Sequence, residues 1–352
     1  MEKINRQMLA ALLEAEAISN LSLADLERLF RQDMDLKRSL PDGTCQFDPR
    51  NGDRILYVSR RGYRPHDNRP LETADPPAAG HCPICQGETT GVIDVAELSE
   101  GFTFINKNLF PVVYPFDSHE LENQRGCATR GLHFLQWTSS LHDKDWHNMP
   151  VTDGTVVMQR LAALEKKLVE TGEQVLITKN YGRLVGSSLA HGHQQIILTA
   201  LIPNRFLDNQ RFLQQKGERF SAYLLRQNPS ELLVRDYGTA VLLVPYFIRR
   251  PYEMMLLLKD TSLRYLHDLP YEALSDIARA WRDAIRAIRV AMPAIGREIA
   301  YNITCHNGPG AGLYFEFLPF TQEFGGLEHL GLFACQADPY VVADHIRTIR
   351  TQ

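Results

Sequence analysis

The 352-residue chain has no long apolar run, no concentrated basic segment and too few cysteines for a disulfide framework. No stretch approaches the ~20 consecutive apolar residues of a membrane span, so no membrane partner is expected. The opening MEKINRQMLAALLEAEA reads as a charged helix rather than a signal sequence, which together with the cysteine usage predicts a cytoplasmic protein. Its 38 Lys and Arg are spread along a chain of net charge -4 and leave no electrostatic footprint for nucleic acid. Six cysteines in a reducing compartment are thiols or metal ligands. Cys45, Cys127, Cys305 and Cys335 stand alone, whereas Cys82 and Cys85 form a CxxC knuckle in HCPICQG, half of a zinc site.

What is present is a 44% hydrophobic, 23% charged composition that can bury one large core or two ordinary ones. Residues 1 to about 40 read as one or two amphipathic helices, with Ser22 and Asp25 in capping-box spacing before LERLF. From Phe102 the chain gives a strand (FTFIN), a Pro-containing turn, a strand (LHFLQW), the loop SLHDKDWHNMP and a helix over 152–170. A strand (QVLITKN) and a glycine-bearing loop into HGHQQ follow. From Thr239 the same order returns: AVLLV, PYFIRRPYE, MMLLLK, the loop SLRYLHDLP, a helix over 271–290, AYNITCHN, and GPGAG into LYFEFLP. A duplicated unit of roughly 100 residues predicts an α+β fold in two similar halves, with mostly antiparallel strands and helices laid on one side. The boundaries expected are an N-terminal helical extension over 1–45, a first half over 46–205 and a second over 206–352.

Within SSLAHGHQQIILTALIP, alternation along a strand would place His191, His193 and Gln195 on one face. A solvent-facing polar stripe would give the same pattern. The duplication separates the two readings, because where the first half has His191-Gly192-His193 the second has Tyr314-Phe315-Glu316. A structural stripe should survive in both halves, whereas a reactive centre is needed once.

The stretch NYGRLVGSSLAHGHQQI resembles the active-site segment of the galactose-1-phosphate uridylyltransferases, and VPYFIRRPYEMMLLLK resembles their second-half strand pair. FDPRNGDRILYVSRRGYRP is similar to the family's opening strand, CPIC to its zinc knuckle and NLFPVV to its Asn-bearing turn. The resemblance begins near residue 47 and leaves out only the N-terminal helical segment. It implies two halves of the histidine-triad superfamily, the first alone keeping the motif, and a homodimer. It implies His193 as the nucleophile, since a neutral imidazole can displace at the α-phosphorus of a nucleotide and carry the nucleotidyl group as a phosphoramidate. Gln195 would donate to a phosphate oxygen as charge builds there. Arg61 and Arg64 match the family's RxxRP, with arginine's fork suited to phosphate. Asn108 and Asn180 match its nucleotide-side asparagines, and backbone N-H groups of the 182–188 loop, with Gly186, Ser187 and Ser188, offer a phosphate cradle. The implied zinc ligands are Cys82, Cys85, His142 and His191, a closed and therefore structural set. His81, His133 and His147 are neighbouring alternatives to His142.

Departures fall where the sugar should sit. The family's uridylyltransferases carry a second-half HxH that helps to bind iron; Tyr314 and Glu316 stand there instead, so iron is not expected, and Glu316 becomes an acceptor-side candidate. Three readings remain: a sugar-1-phosphate nucleotidyltransferase, a nucleoside diphosphate sugar or dinucleoside polyphosphate phosphorylase in which phosphate is the acceptor, and a non-catalytic nucleotide-binding protein. Retention of both histidines, Gln195 and CxxC argues against the third. The expected partners are a nucleotide sugar and a phosphate or phosphorylated acceptor.

Overall fold

Strand β1 (Thr44–Phe47) pairs antiparallel with β2 (Arg54–Leu56), and a larger set of strands carries the rest of the molecule. The structure is a computed structural model and describes residues 3–9, 18–33, 36, 39–41, 43–47, 54–56, 82–116 and 127–349. Arg61, Arg64 and His81 lie outside the described residues. The larger set comprises β3 (Val92–Glu97), β4 (Phe102–Lys107), β6 (Gly131–Trp137), β7 (Gln174–Tyr181) and β8 (His193–Thr199), with the short β5 (Cys127–Ala128) instead beside β1. It continues with β9 (Leu233–Asp236), β10 (Ala240–Leu243), β11 (Met254–Leu258), β12 (Tyr301–His306) and β13 (Tyr314–Pro319).

Two compact units are present and interleave in sequence. The first takes Met1–Lys144, Gln159–Ile177 and Ser188–Asn209, the second Asp145–Met158, Thr178–Ser187 and Gln210–Gln352. One series of strands runs in the order β3-β4-β6-β8-β7 and the other in the order β9-β10-β11-β13-β12, the unit boundary falling within β7. The order is the same strand for strand, and each series has its long helix between the third and fourth strands in chain order: α2 (Val151–Val169) and α5 (Tyr271–Ala294), with α1 (Leu23–Arg31) preceding both. The duplication read from the sequence is therefore a duplication of topology, and the α+β class with antiparallel pairing holds for β3–β4, β4–β6, β6–β8, β9–β10, β10–β11, β11–β13 and β12–β13.

Local chemistry explains most of the elements. Ser22 and Asp25 form the reciprocal capping box at the start of α1, each bonding the other's backbone N-H at 3.2 and 3.0 Å. Leu26 and Phe30 point from α1 into the core, where the Phe30 ring meets Phe134 of β6 edge-on at 5.3 Å. In the second unit α5 lays Trp281 against Phe315 and Phe317 of β13 at 5.6 and 5.9 Å. α5 runs four residues beyond the expected end because Ala291 and Met292 are fully buried, and that packing carries the last turn through Pro293. Two helices are not anticipated by the sequence patterning, α3 (Asn204–Lys216) and α4 (Phe220–Gln227). Among the described residues no helix is long and apolar enough to cross a membrane.

Candidate functional site

Strand β8 begins at His193, not at His191, and this corrects the expectation that His191, His193 and Gln195 share one strand face. His191 lies in the bend before the strand, fully buried, and turns toward the knuckle. Its Nε2 is 2.7 Å from the Ser139 carbonyl oxygen, which can only accept, so Nε2 carries the proton and Nδ1 presents a lone pair. That lone pair faces Cys82 Sγ at 3.7 Å and Cys85 Sγ at 3.5 Å, while His142 Nδ1 stands 3.5 Å from Cys85 Sγ. All four ligand atoms lie within 4.8 Å of one another. A tetrahedral ion with bonds of about 2.3 Å to sulfur and 2.0–2.1 Å to nitrogen would separate S from N by about 3.6 Å, and the three distances match that edge. The Ser139 bond is the outer hydrogen bond that metal-ligating histidines usually make. This Cys2His2 group could hold a metal ion. Of the alternatives to His142, His133 and His147 are directed elsewhere.

Trp137 joins this group to the strand. It is the register partner of His193, is buried, and packs its indole against both His191 and His193, with ring centroids 5.4 and 4.8 Å away. The indole N-H donates to Asn106 Oδ1 at 2.8 Å, which fixes the ring. His193 itself is 7% exposed. Its Nδ1 lies 2.8 Å from the His191 carbonyl oxygen, so that nitrogen is the protonated one and Nε2 carries the lone pair.

Register places Trp137 opposite His193, Leu135 opposite Gln195 and His133 opposite Ile197, so all six share one sheet face. Gln195 Oε1 meets His133 Nε2 at 3.1 Å along the diagonal. On the other face Gln194 and Gln136 are opposite each other, and Gln194 Nε2 donates a hydrogen bond to Gln136 Oε1 at 2.9 Å. Asn108 is buried in the turn after β4, where its Oδ1 accepts the Phe110 N-H at 2.9 Å and its Nδ2 lies 3.1 Å from His133 Nε2.

The remaining candidates sit in the second unit, apart from Ser188. Asn180 Oδ1 accepts from Asn302 Nδ2 at 2.8 Å, and Asn302 also reaches the Val185 carbonyl at 3.3 Å, tying the loop down. Gly182 and Gly186 have φ of 91° and 84°, and a Cβ at Gly182 would come within 2.6 Å of the Ile299 carbonyl oxygen, so glycine is required there. Part of the expected backbone cradle is bonded internally: the N-H groups of Val185, Gly186 and Ser187 bond to carbonyls of Gly182 and Arg183 inside the loop. Glu316 on β13 accepts from His306 Nε2 at 2.8 Å and from the Thr304 hydroxyl at 3.2 Å. The Tyr314 ring lies flat on the His306 imidazole, 4.3 Å between centroids and 5° between planes.

His147 shows how differently a histidine in the repeat-related loop behaves. Burial, then the nearby Arg289 guanidinium, push its pKa down to about 4, and its Nδ1 has no hydrogen-bond partner. Sequence patterning alone does not reveal what Trp137, His133 and His306 do. Strand alternation in LHFLQW puts His133 and Trp137 on one face, but only the register with β8 shows what they touch.

No family model matches the chain. A curated protein named ADP-glucose phosphorylase from Arabidopsis thaliana is 21% identical over 301 residues, covering 79% of this chain and 81% of that protein. Among solved structures, one of a uridylyltransferase superposes with a TM-score of 0.68 at 20% identity, covering 86% of this chain and 97% of that one. The crystal structure of an ADP-glucose phosphorylase from Arabidopsis thaliana with bound ADP-glucose superposes with a TM-score of 0.64 at 16% identity, over 87% and 99% of the two chains. The fold is an α+β architecture in two halves of the same strand order. More particularly, it is the fold of the uridylyltransferase and galt-like protein structures on which it superposes.

Proposed function

We propose that the protein is a nucleotidyltransferase that works by double displacement through His193. The observation that carries the proposal is the tautomer. With Nδ1-H held by the His191 carbonyl at 2.8 Å, Nε2 keeps its lone pair and needs no general base before it attacks. Nε2 attacks the α-phosphorus of a nucleotide sugar, the phosphoanhydride P-O bond breaks, and the sugar 1-phosphate leaves with the bonding electrons. The Nε2-P bond of the resulting phosphoramidate is then broken by an oxygen of the acceptor, which returns the imidazole with its lone pair. Gln195 is the proposed donor to the phosphoryl oxygens, and Arg61, Arg64, Asn108, Asn180, Gly186, Ser187 and Ser188 the proposed nucleotide and phosphate contacts. For the loop, the Ser187 and Ser188 hydroxyls carry that proposal better than its internally bonded N-H groups.

The acceptor has two readings. A hexose 1-phosphate makes the enzyme a sugar-1-phosphate nucleotidyltransferase of the uridylyltransferase type; inorganic phosphate makes it a nucleotide-sugar phosphorylase. The likeness to the Arabidopsis ADP-glucose phosphorylase and the replacement of the second-half HxH by Tyr314 and Glu316 favour keeping the phosphorylase reading beside the first. The proposed metal is zinc, held by Cys82, Cys85, His142 and His191, since thiolate and imidazole donors in a closed set of four suit it. When bound, zinc would supply structure rather than chemistry, tying the knuckle to the segment that enters β8. We further propose a cytoplasmic homodimer in which residues 46–205 carry the reaction and 206–352 contribute the acceptor side through Glu316.

The test is direct. Incubation with UDP-glucose or ADP-glucose labelled in the α-phosphate should label the wild-type protein and leave His193→Ala unlabelled. Chasing with inorganic phosphate or with galactose 1-phosphate should then remove the label with one of them and identify the acceptor. Retained labelling in folded His193→Ala would refute the assignment.

A further inference from the structure

His133 is a fully buried histidine on β6 that neither the metal group nor the displacement at His193 uses. Its surroundings fix its state. The backbone N-H of Val112 points at His133 Nδ1 from 3.1 Å. A backbone amide can only donate and cannot be flipped, so Nδ1 is the acceptor and the ring proton is on Nε2. Nε2 in turn faces Gln195 Oε1 at 3.1 Å. Asn108 Nδ2 lies 3.1 and 3.5 Å from the two ring nitrogens, against the ring rather than on one lone pair, while its Oδ1 is held by the Phe110 N-H.

A side-chain amide has one accepting and one donating end. If the accepting oxygen of Gln195 is taken by His133, its NH2 group is turned toward the side of the strand face on which His193 stands, two residues away. We propose that His133 is a positioning residue: the relay Val112 N-H to His133 to Gln195 sets the amide orientation of Gln195, so that N-H rather than C=O meets the transferring phosphoryl group. The inference rests on the double-displacement reading and adds to it the group that decides which end of Gln195 the phosphate sees. A glutamine without such a partner would present its oxygen to an anionic phosphoryl group for part of the time, and would also spend orientational freedom in the transition state.

The test is a double-mutant cycle on the pre-steady-state rate of His193 labelling by the nucleotide sugar. His133→Phe keeps the bulk and removes both nitrogens; it should slow labelling about 10- to 100-fold while changing the KM for nucleotide sugar less than about twofold. Gln195→Ala should slow it at least as much, and the combination of the two should be no slower than Gln195→Ala alone, because a residue that acts through Gln195 has nothing left to orient. His133→Gln, whose amide can still donate toward Gln195, should recover most of the rate. Equal labelling by wild type and His133→Phe, or strictly additive losses in the cycle, would overturn the relay. The tautomer gives a second readout that needs no variant: 15N spectra of the histidine-labelled protein should show His133 as the Nε2-H form, and an Nδ1-H form would overturn the proposal even if His133→Phe failed to fold. Absence of any label on the wild type would instead overturn His193 as the nucleophile, and the spectrum alone would then decide the state of His133.

Discussion

The two halves repeat one topology and fill its equivalent strands with different chemistry. β8 opens with His193 and continues to Gln195; β13 opens with Tyr314 and continues to Glu316. In each, a buried imidazole grips the polar residue diagonally across a strand pair, but from opposite flanks. His133 reaches Gln195 from β6, the third strand of its series, and His306 reaches Glu316 from β12, the fourth. The first half keeps an imidazole, His193, whose Nδ1 is held by the His191 carbonyl, beside a metal-capable Cys2His2 group. The second keeps a carboxylate against a stacked imidazole. The fold supplies a polar strand with a diagonal partner in both places; the residues on it differ, and the covalent chemistry is proposed for the first alone.

The sharpest way to break the comparison is His193→Ala, which should lower transfer by about four orders of magnitude or more, the scale seen when a covalent nucleophile is removed, with the thermal midpoint nearly unchanged. Labelling kinetics and a melting curve together check it. Next in size is loss of a metal ligand. Cys85→Ala should lower stability by several kcal/mol, because metal-binding free energy is in effect folding free energy, and a strong chelator should reproduce the effect on the wild type. Elemental analysis finding no metal in protein purified without chelator would remove the basis for both effects.

Glu316→Gln sharpens the other side. It should slow the second half-reaction about 100-fold, the lower end of the range for a general acid-base group, and leave labelling of His193 untouched. Single-turnover labelling followed by an acceptor chase separates the steps. Unchanged kinetics in both, or failure of both together, would end the proposed division between halves.

The smallest effect concerns His147. Its folded pKa of about 4 lies below the ordinary 6.5, so between those values the unfolded chain binds the proton and the folded one does not. The stability it contributes is fully present above about pH 6.5 and is lost as pH falls toward 4. His147→Gln should therefore flatten the dependence of the thermal midpoint on pH across that window and change little at about pH 7.5.

Much of the fold and part of the site are legible along the chain. The repeat of strand and helix order, the capping box at Ser22 and Asp25, the CxxC knuckle and the asymmetry between HGH and YFE are linear patterns, set by propensity, spacing and residue type. The helices between 204 and 227 escape such a reading for two reasons: polar residues dominate α3, and FSAYLLRQ of α4 is a short apolar run that periodicity alone does not separate from a strand. The 182–188 loop is legible as glycine-bearing, but not that its own carbonyls take the N-H groups of Val185, Gly186 and Ser187, since that depends on how the turn closes. His142 separates from His133 and His147 only in three dimensions. Metal-capable geometry is a matter of four atoms within 4.8 Å, and His142 stands 57 positions after Cys85 while His191 arrives through a bend rather than a strand.

The sequence by itself determined what kinds of chemistry were available and that only one half retained the imidazoles, because side-chain identity and duplication are linear properties. The tertiary structure decided which nitrogen of His191, His193 and His133 carries its proton, because that depends on a backbone carbonyl or amide that the fold brings to the ring. Ser139 does this for His191, the His191 carbonyl for His193, and Val112 for His133.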